Sequence, residues 1–596
     1  MNRCSTGTRQ SRADTRKPLA GWRQLLLCSL LLLALPACAS ILPADKTASQ
    51  LPPSNTTLDA WVESTVNTLH PQAKLQHQEL LGILYRQAGF NNFWLTTQGQ
   101  PNAAARLLLG DLQPWLALEE HPRLKPYQEL AELLQQPITE NLPRHRQAQD
   151  LLITDRFLAY QQDLLQRYWI QYDLDQDHGI TNAYERWDSW PDEAIKRHLH
   201  DVFPGWLLQL QGQTPPLWAM DRIRETRPEN HFYLPWRQAF DDLLIQRQAG
   251  SWPILHNQLQ QGDSGAEVTL LAEQLYRLGD LDDQQPYLLI EETPVLFDQQ
   301  LEQALKSFQR RHNLPATGRS DPPSRQWLNL PLEERMRRLA HNLRRLHHLP
   351  QKLNDRHLMI NLADQRLQFI ERQVLKLDMK VVIGRDGQRT PIMNQWLTSV
   401  VLNPLWNVPP SIARERIFPR AQQNPEYLAS RDYALVQGWH TPTRFVSFED
   451  LPEDAFSTDN PSYRIVQKAG NYNQLGRVKF RLSNQQAIYL HDTPERQAFN
   501  SERRDVSAGC VRVEDSERLV EALLAYSKTW TPDKVRQIYE QGDERYLQVR
   551  PRVAVYMMYW TVWTDSAGRL QWREDIYRKD QFSQPKRLAQ HSTLRP

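Results

Sequence analysis

Residues 489–513 read YLHDTPERQAFNSERRDVSAGCVRV. The stretch opens on a short apolar strand that ends at His491 and closes on Cys510, nineteen residues later, just before Val511-Arg512-Val513. A strand end holds an imidazole rigidly. A free thiol has a pKa of about 8.5 and is only a few per cent thiolate near neutral pH. A positioned imidazole takes its proton and gives a reactive ion pair. Gly509 permits close backbone approach, so amides beside Cys510 are candidates for stabilising a tetrahedral oxyanion. Acyl transfer through a thioester is the chemistry that these residues suit.

Cysteine usage points the same way. The chain has 596 residues and four cysteines, of which Cys4, Cys28 and Cys38 lie within the first 39 residues. That segment is basic at first and then carries LLLCSLLLLAL (Leu25 to Leu35) and PACAS. The apolar run is about 11 residues where a bilayer span needs roughly 20, so residues 1–39 read as a signal peptide or an N-terminal anchor. Ala37 and Ala39 offer a small-x-small cleavage site, and LPAC approximates a lipid-attachment box at Cys38. An exported chain with one cysteine left over reads as carrying a reactive thiol.

The formal net charge is +2. The first 24 residues hold six basic residues against Asp14, so the remainder is slightly acidic. Nucleic-acid binding predicts a strongly basic balance and is excluded. Hydrophobic residues make up 40% of the chain, which predicts a folded protein, and the length predicts three or four domains.

Residues 40–56 are polar and proline-bearing and read as a linker. Residues 57–250 show apolar residues at three- and four-residue spacing and predict an α-helical scaffold. Within it, Asp173, Asp175 and Asp177 mimic a calcium loop, but Gly179 and Glu185 are each one place out of register, so an acidic turn is the better reading. Residues 251–331 predict a small three-helix unit, with Val268, Leu271 and Leu275 on one helical face and Ala304, Leu305 and Phe308 on another. Residues 332–355 predict a connecting helix with a stripe of Leu332, Met336, Leu339, Leu343 and Leu346 and its arginines facing outward. From 356 the period shifts to two and predicts strands. Residues 411–475 break that pattern with helix-like, polar sequence and read as an insertion. Residues 531–596 predict a helix and a β-hairpin extension turning at Ser566-Ala567-Gly568. The fold class is multidomain α+β.

The order His491, Ser507, Gly509, Cys510, Arg512 resembles the L,D-transpeptidase catalytic domain of the YkuD type, whose signature ends in S-x-G-C-[V/I]-R. The resemblance extends through VVIGRDGQRTPIM, NPLWNVPPSIARERI and NYNQLGRVKF and covers 356–530. Residues 251–331 resemble a peptidoglycan-binding domain, and the whole resembles the large periplasmic subgroup of the family. Two positions depart from relatives: Ala508 where some have histidine, and Asp492 where many have glycine.

The resemblance implies that Cys510 attacks the carbonyl between meso-diaminopimelate and D-alanine of a tetrapeptide stem. His491 then serves as base and acid, and a second stem's amine resolves the thioester into a cross-link. Ser507 is expected to orient the loop or His491, Arg512 to pair with a substrate carboxylate or a structural one, and Tyr489 to share a side with His491. Trp406 and Asn407 are expected to line the cleft, and the 411–475 insertion to act as a helical lid. No metal or organic cofactor is expected. The expected partners are peptidoglycan stems and glycan strands and cell-wall synthesis proteins. The expected location is the periplasm of a Gram-negative bacterium, with membrane association through the N-terminus or a lipid on Cys38.

Alternatives are an L,D-carboxypeptidase, in which water resolves the thioester, and a non-catalytic wall-binding scaffold. A serine enzyme built on Ser583-Gln-Pro-Lys586 lacks its companion motifs.

Overall fold

The computed structural model describes residues 56–118, 124–136, 138, 142–164, 180–181, 192–287, 294–424, 426–438, 444–452, 455, 462–484 and 486–580. The N-terminal basic and apolar segment, the Asp173–Asp177 turn and the Ser583–Lys586 stretch lie outside them.

Helices dominate up to residue 250, among them Ala103–Leu116, Pro143–Leu164 and Tyr233–Gln248. One fully buried carboxylate organises this part. Asp150 accepts from the backbone N–H groups of Phe93, Trp94 and Leu95 at 2.7, 2.8 and 3.0 Å and from the Tyr85 hydroxyl at 2.5 Å. Burial of a carboxylate is tolerated only with such a complete set of donors. A two-residue strand, β1 (Ile180–Thr181), pairs with Asn394 and Met393 of the sheet described below.

Three helices follow at Ala266–Arg277, Gln299–Arg311 and Pro322–Leu328. Asp298 and Asp321 cap the second and third by accepting from Leu301 N and Ser324 N, at 2.9 and 3.0 Å. Val268, Leu271, Leu275, Ala304, Leu305 and Phe308 are all buried, as their spacing predicts.

The helix Leu332–Leu346 buries its leucine stripe, but its arginines do not all face outward. Arg335, Arg344 and Arg345 are buried. Arg335 donates to the carbonyls of Trp327 and Leu330 and lies over Trp252 and Trp572, at 5.3 and 5.5 Å from the ring centres. Arg345 pairs with the buried Asp580 at 2.8 Å. The helix is clasped on more than one side, and hydropathy alone does not reveal that carbonyls, rings and a carboxylate from residues distant in sequence solvate its cations.

The catalytic-region strands are β2 (Arg356–Asn361), β3 (Arg366–Glu371), β4 (Val374–Gly384), β5 (Met393–Leu402), β6 (Trp406–Asn407), β7 (Tyr433–Gln437), β8 (Arg444–Val446), β9 (Tyr463–Gln467), β10 (Val478–Leu482), β11 (Leu490–His491), β12 (Asp505–Ser507), β13 (Val511–Val513) and β14 (Arg545–Met558). Pairing runs β5-β10-β11-β13-β4-β3-β2-β14, and β14 pairs back onto β5, so these eight strands close into a ring. Closure leaves no free edge among them. Inward residues such as Leu358, Phe369, Val381, Val400, Phe480, Leu490 and Val513 form the ring's apolar core.

Two sequence expectations change here. RVAVYMM does not start a terminal hairpin. It is the second half of β14, parallel to β2 and antiparallel to β5. The hairpin is shorter, β15 (Val562–Thr564) with β16 (Leu570–Trp572), and turns where expected at residues 565–568. An apolar run buried on both faces carries no sign of its partners. The 411–475 insertion is also not purely helical. Short helices lie at Pro410–Ile412, Phe418–Gln423 and Glu426–Ser430, the first two joined by a π turn at Ala413–Ile417. They accompany a four-stranded sheet ordered β6-β9-β7-β8. YALVQ and YRIVQ supply the β-branched and aromatic residues for it. Trp406, Ile417, Phe418, Leu435, Ile465 and Leu475 give the insertion its own small core.

Candidate active site

Three neighbouring strands bring His491, Cys510 and Lys479 together. β11 runs parallel to β13, with Leu490 opposite Val511 and His491 opposite Arg512. Val511 N donates to Tyr489 O at 3.1 Å, which sets Cys510, one residue earlier, beside Tyr489. On the other side of β11, β10 brings Lys479 opposite His491. Cys510 is partly exposed, and its sulfur approaches Ala487 O at 3.8 Å.

The turn before Cys510 is held from several directions. Ser507 is buried; its hydroxyl donates to Cys510 O at 2.7 Å and accepts from Gly509 N at 3.1 Å. The Gly509 amide is thereby engaged with Ser507. Gly509 has φ +115°, a conformation that excludes ordinary side chains, so its part in the turn is conformational. Thr390 donates its hydroxyl to Gly509 O at 2.7 Å and accepts from Gly384 N at 2.9 Å. The Tyr577 hydroxyl bonds Gly384 O. A Cβ on Gly384 would sit 2.1 Å from Gln388 O, so only glycine fits beneath the loop.

His491 is buried, and its Nδ1 lies 2.6 Å from Asp492 O. A carbonyl only accepts, so Nδ1 carries the proton and Nε2 keeps its lone pair. Burial, with Arg512 and Lys479 nearby, pushes the His491 pKa down to about 3. Burial pushes the Cys510 thiol up, against the Tyr489 N–H, the Tyr489 side chain and the Lys479 charge, which favour the thiolate. Both shifts favour the neutral forms. Burial penalises the charge on each group and so works against the ion pair expected from the sequence.

Tyr489 does share a side with His491; their rings meet edge-on at 5.7 Å. Arg512 is 2.5 Å from Glu495, so it is ion-paired within the chain. Asp492 is structural: it accepts from Arg477 N at 2.8 Å, pairs with Arg496 at 2.7 Å and packs where a Cβ on Gly476 would collide. Trp406 lines the cleft, but Asn407 does not. Alternation along β6 turns it outward, where it accepts from Arg464.

The cleft measures about 410 Å³ and has Cys510, His491, Tyr489, Ser507 and Arg512 on one wall. The insertion supplies the other with Arg416, Arg420, Arg431, Tyr427, Tyr433 and Tyr472, none of which the sequence singled out. Lys479 was missed as well. Its only signal was a cation in the strand that pairs with the histidine strand, and that pairing is not local in sequence.

Residues 355–538 match the YkuD family, the L,D-transpeptidase catalytic domain. Residues 264–328 match the family described as "Putative peptidoglycan binding domain". A Haemophilus influenzae protein named "Putative L,D-transpeptidase" is 33% identical over 246 residues, or 41% of this chain and 48% of that one. The match thus spans about half the length of that curated relative. Among solved structures, an L,D-transpeptidase from Mycobacterium smegmatis shows 10% identity over 34% of this chain and 58% of its own, with a TM-score of 0.17. One from Xylanimonas cellulosilytica shows 12% identity over 51% and 100%, with a TM-score of 0.15.

Proposed function

We propose, from a region (residues 355–538) that matches the L,D-transpeptidase catalytic-domain family, that the protein cross-links peptidoglycan through a cysteine thioester. One observation carries this reading. A thiol and an imidazole whose Nε2 is free to accept a proton line the same cleft, His491 at the end of β11 and Cys510 just before the parallel strand β13.

Cys510 Sγ attacks the carbonyl between meso-diaminopimelate and the terminal D-alanine of a tetrapeptide stem. His491 Nε2 takes the thiol proton as the carbon–sulfur bond forms, which avoids a charged resting pair in a buried site. It then returns the proton to the D-alanine nitrogen as the amide breaks. The side-chain amine of a second stem attacks the thioester, and the thiol is regenerated. Tyr489 and Lys479 favour negative charge on sulfur, both as it attacks and as it leaves. Ser507, Gly509 and Thr390 hold the turn. The insertion covers the cleft and gates entry of the stem. Residues 264–328 hold the enzyme on the wall polymer.

The test is incubation of the mature protein and a Cys510→Ala variant with disaccharide-tetrapeptides, read by mass spectrometry. A diaminopimelate-to-diaminopimelate cross-link made only by the unmutated protein is expected. Tripeptide alone would identify a carboxypeptidase, and no product from either protein would leave a wall-binding scaffold.

A further inference from the structure

The wall of the cleft opposite the nucleophile is cationic beyond what the proposed chemistry uses. Arg416 and Arg420 lie four residues apart along the turns at 413–423, and Arg431 follows the next helix. Arg385 reaches the cleft from the other side, where its backbone N–H donates to Ser507 O at 3.0 Å. Among the described residues, the one carboxylate lining the cleft is Glu495, already paired with Arg512. Among the described residues, no carboxylate pairs with Arg385, Arg416, Arg420 or Arg431.

Two of these arginines are held by rings instead. The Arg420 guanidinium lies 5.8 Å from the centre of the Tyr427 ring and donates to its hydroxyl at 3.3 Å. That of Arg431 lies 5.4 Å from the centre of the Tyr472 ring. A ring face orients a guanidinium without neutralising it and leaves its outer N–H groups free for a carboxylate fork. A cleft lined by one sign of charge focuses its field and raises the local concentration of anionic ligands.

We propose that Arg416, Arg420 and Arg431 form a carboxylate-reading wall that selects stem peptides with free side-chain and α-carboxylates over stems in which these are amidated. The proposal rests on the cross-linking reading above and adds a substrate preference to it. Each amidation removes one charge from the peptide and one partner from the wall. Amidating two carboxylates removes two exposed guanidinium–carboxylate pairs, which gives a preference of roughly tenfold. The preference is electrostatic and therefore falls with salt.

The test uses the full chain with Cys510→Ala, so that binding is read without turnover. Calorimetry compares a tetrapeptide stem bearing free carboxylates with the same stem amidated at its isoglutamate and diaminopimelate carboxylates, at about 50 and about 300 mM salt. The free stem is expected to bind roughly tenfold more tightly at low salt and to lose much of that advantage at high salt. Adding Arg416→Gln, Arg420→Gln and Arg431→Gln is expected to equalise the two stems at an unchanged melting temperature. Equal binding by the chain with its arginines intact, or no binding of the free stem, overturns the proposal. So does a folded triple variant that keeps the preference. If the triple variant does not fold, the peptide pair and the salt series still decide. Failure of the cross-linking reading shows separately, as the absence of product from the unmutated enzyme.

Discussion

The Lys479 ammonium lies 4.0 Å from the centre of the Tyr489 ring, directly across the strand ladder from His491. It is half-buried, and desolvation holds its pKa below the ordinary lysine value. A cation over an aromatic face is stabilised there without a counter-ion. Its charge favours thiolate at Cys510 and opposes imidazolium at His491.

Lys479→Met keeps the packing and removes that field. Alkylation of Cys510 by iodoacetamide across pH is expected to show a thiol pKa raised further, and acylation by a β-lactam is expected to slow by about tenfold, about 1.4 kcal/mol of barrier. An unchanged thiol titration would mean that the ammonium only packs on Tyr489.

With His491 as the proposed base, its neutral form sets the acid side of the expected pH profile. The folded pKa of His491 is lowered from 6.5 to about 3, so the imidazole stays able to accept a proton throughout mildly acidic solution. The rate of Cys510 acylation is expected to show no acid limb near pH 6.5, whereas an unperturbed histidine would lose tenfold in rate per pH unit below it. Stopped-flow acylation between pH 4.5 and 8 measures this (a range about the unperturbed value).

Thr390 ties the nucleophile turn to Gly384 through two hydrogen bonds. Thr390→Val preserves shape and leaves a buried N–H and a carbonyl unpaired. A loss of about 1–3 kcal/mol in chemical denaturation is expected, with kcat falling more than substrate binding.

Arg345 and Asp580 form a buried pair, and Asp580 also accepts from Thr561 at 2.8 Å. Asp580→Ala leaves the guanidinium without its counter-charge and is expected to cost about 3–5 kcal/mol. Denaturant midpoints of Asp580→Ala and of the double variant Arg345→Met with Asp580→Ala measure this, the second being the milder.

Much of the site was readable before the fold because its signals are local. Alternation along Tyr489-Leu490-His491 set Tyr489 and His491 on one side, and Gly509 before Cys510 marked a special turn. What escaped was carried by partners distant in sequence. Thr390 meets Gly509 across more than a hundred residues, and Arg335 looked solvent-facing because the rings of Trp252 and Trp572 that cover it lie far away along the chain. Asn407 was misread because alternation from Trp406, which does face the cleft, had to turn its neighbour away.

The catalytic ring is like a cask whose last stave, β14, is laid well after the nucleophile has been made. A chain growing N-terminus first carries Cys510 and His491 while the ring is still open. The burial that raises the Cys510 titration is therefore complete only when the rest of the ring has arrived. A chain ended after Gly542 is expected to carry a Cys510 that alkylates like a free cysteine, whereas the whole protein alkylates with the raised titration of a folded site. In this protein, timing is written into strand order.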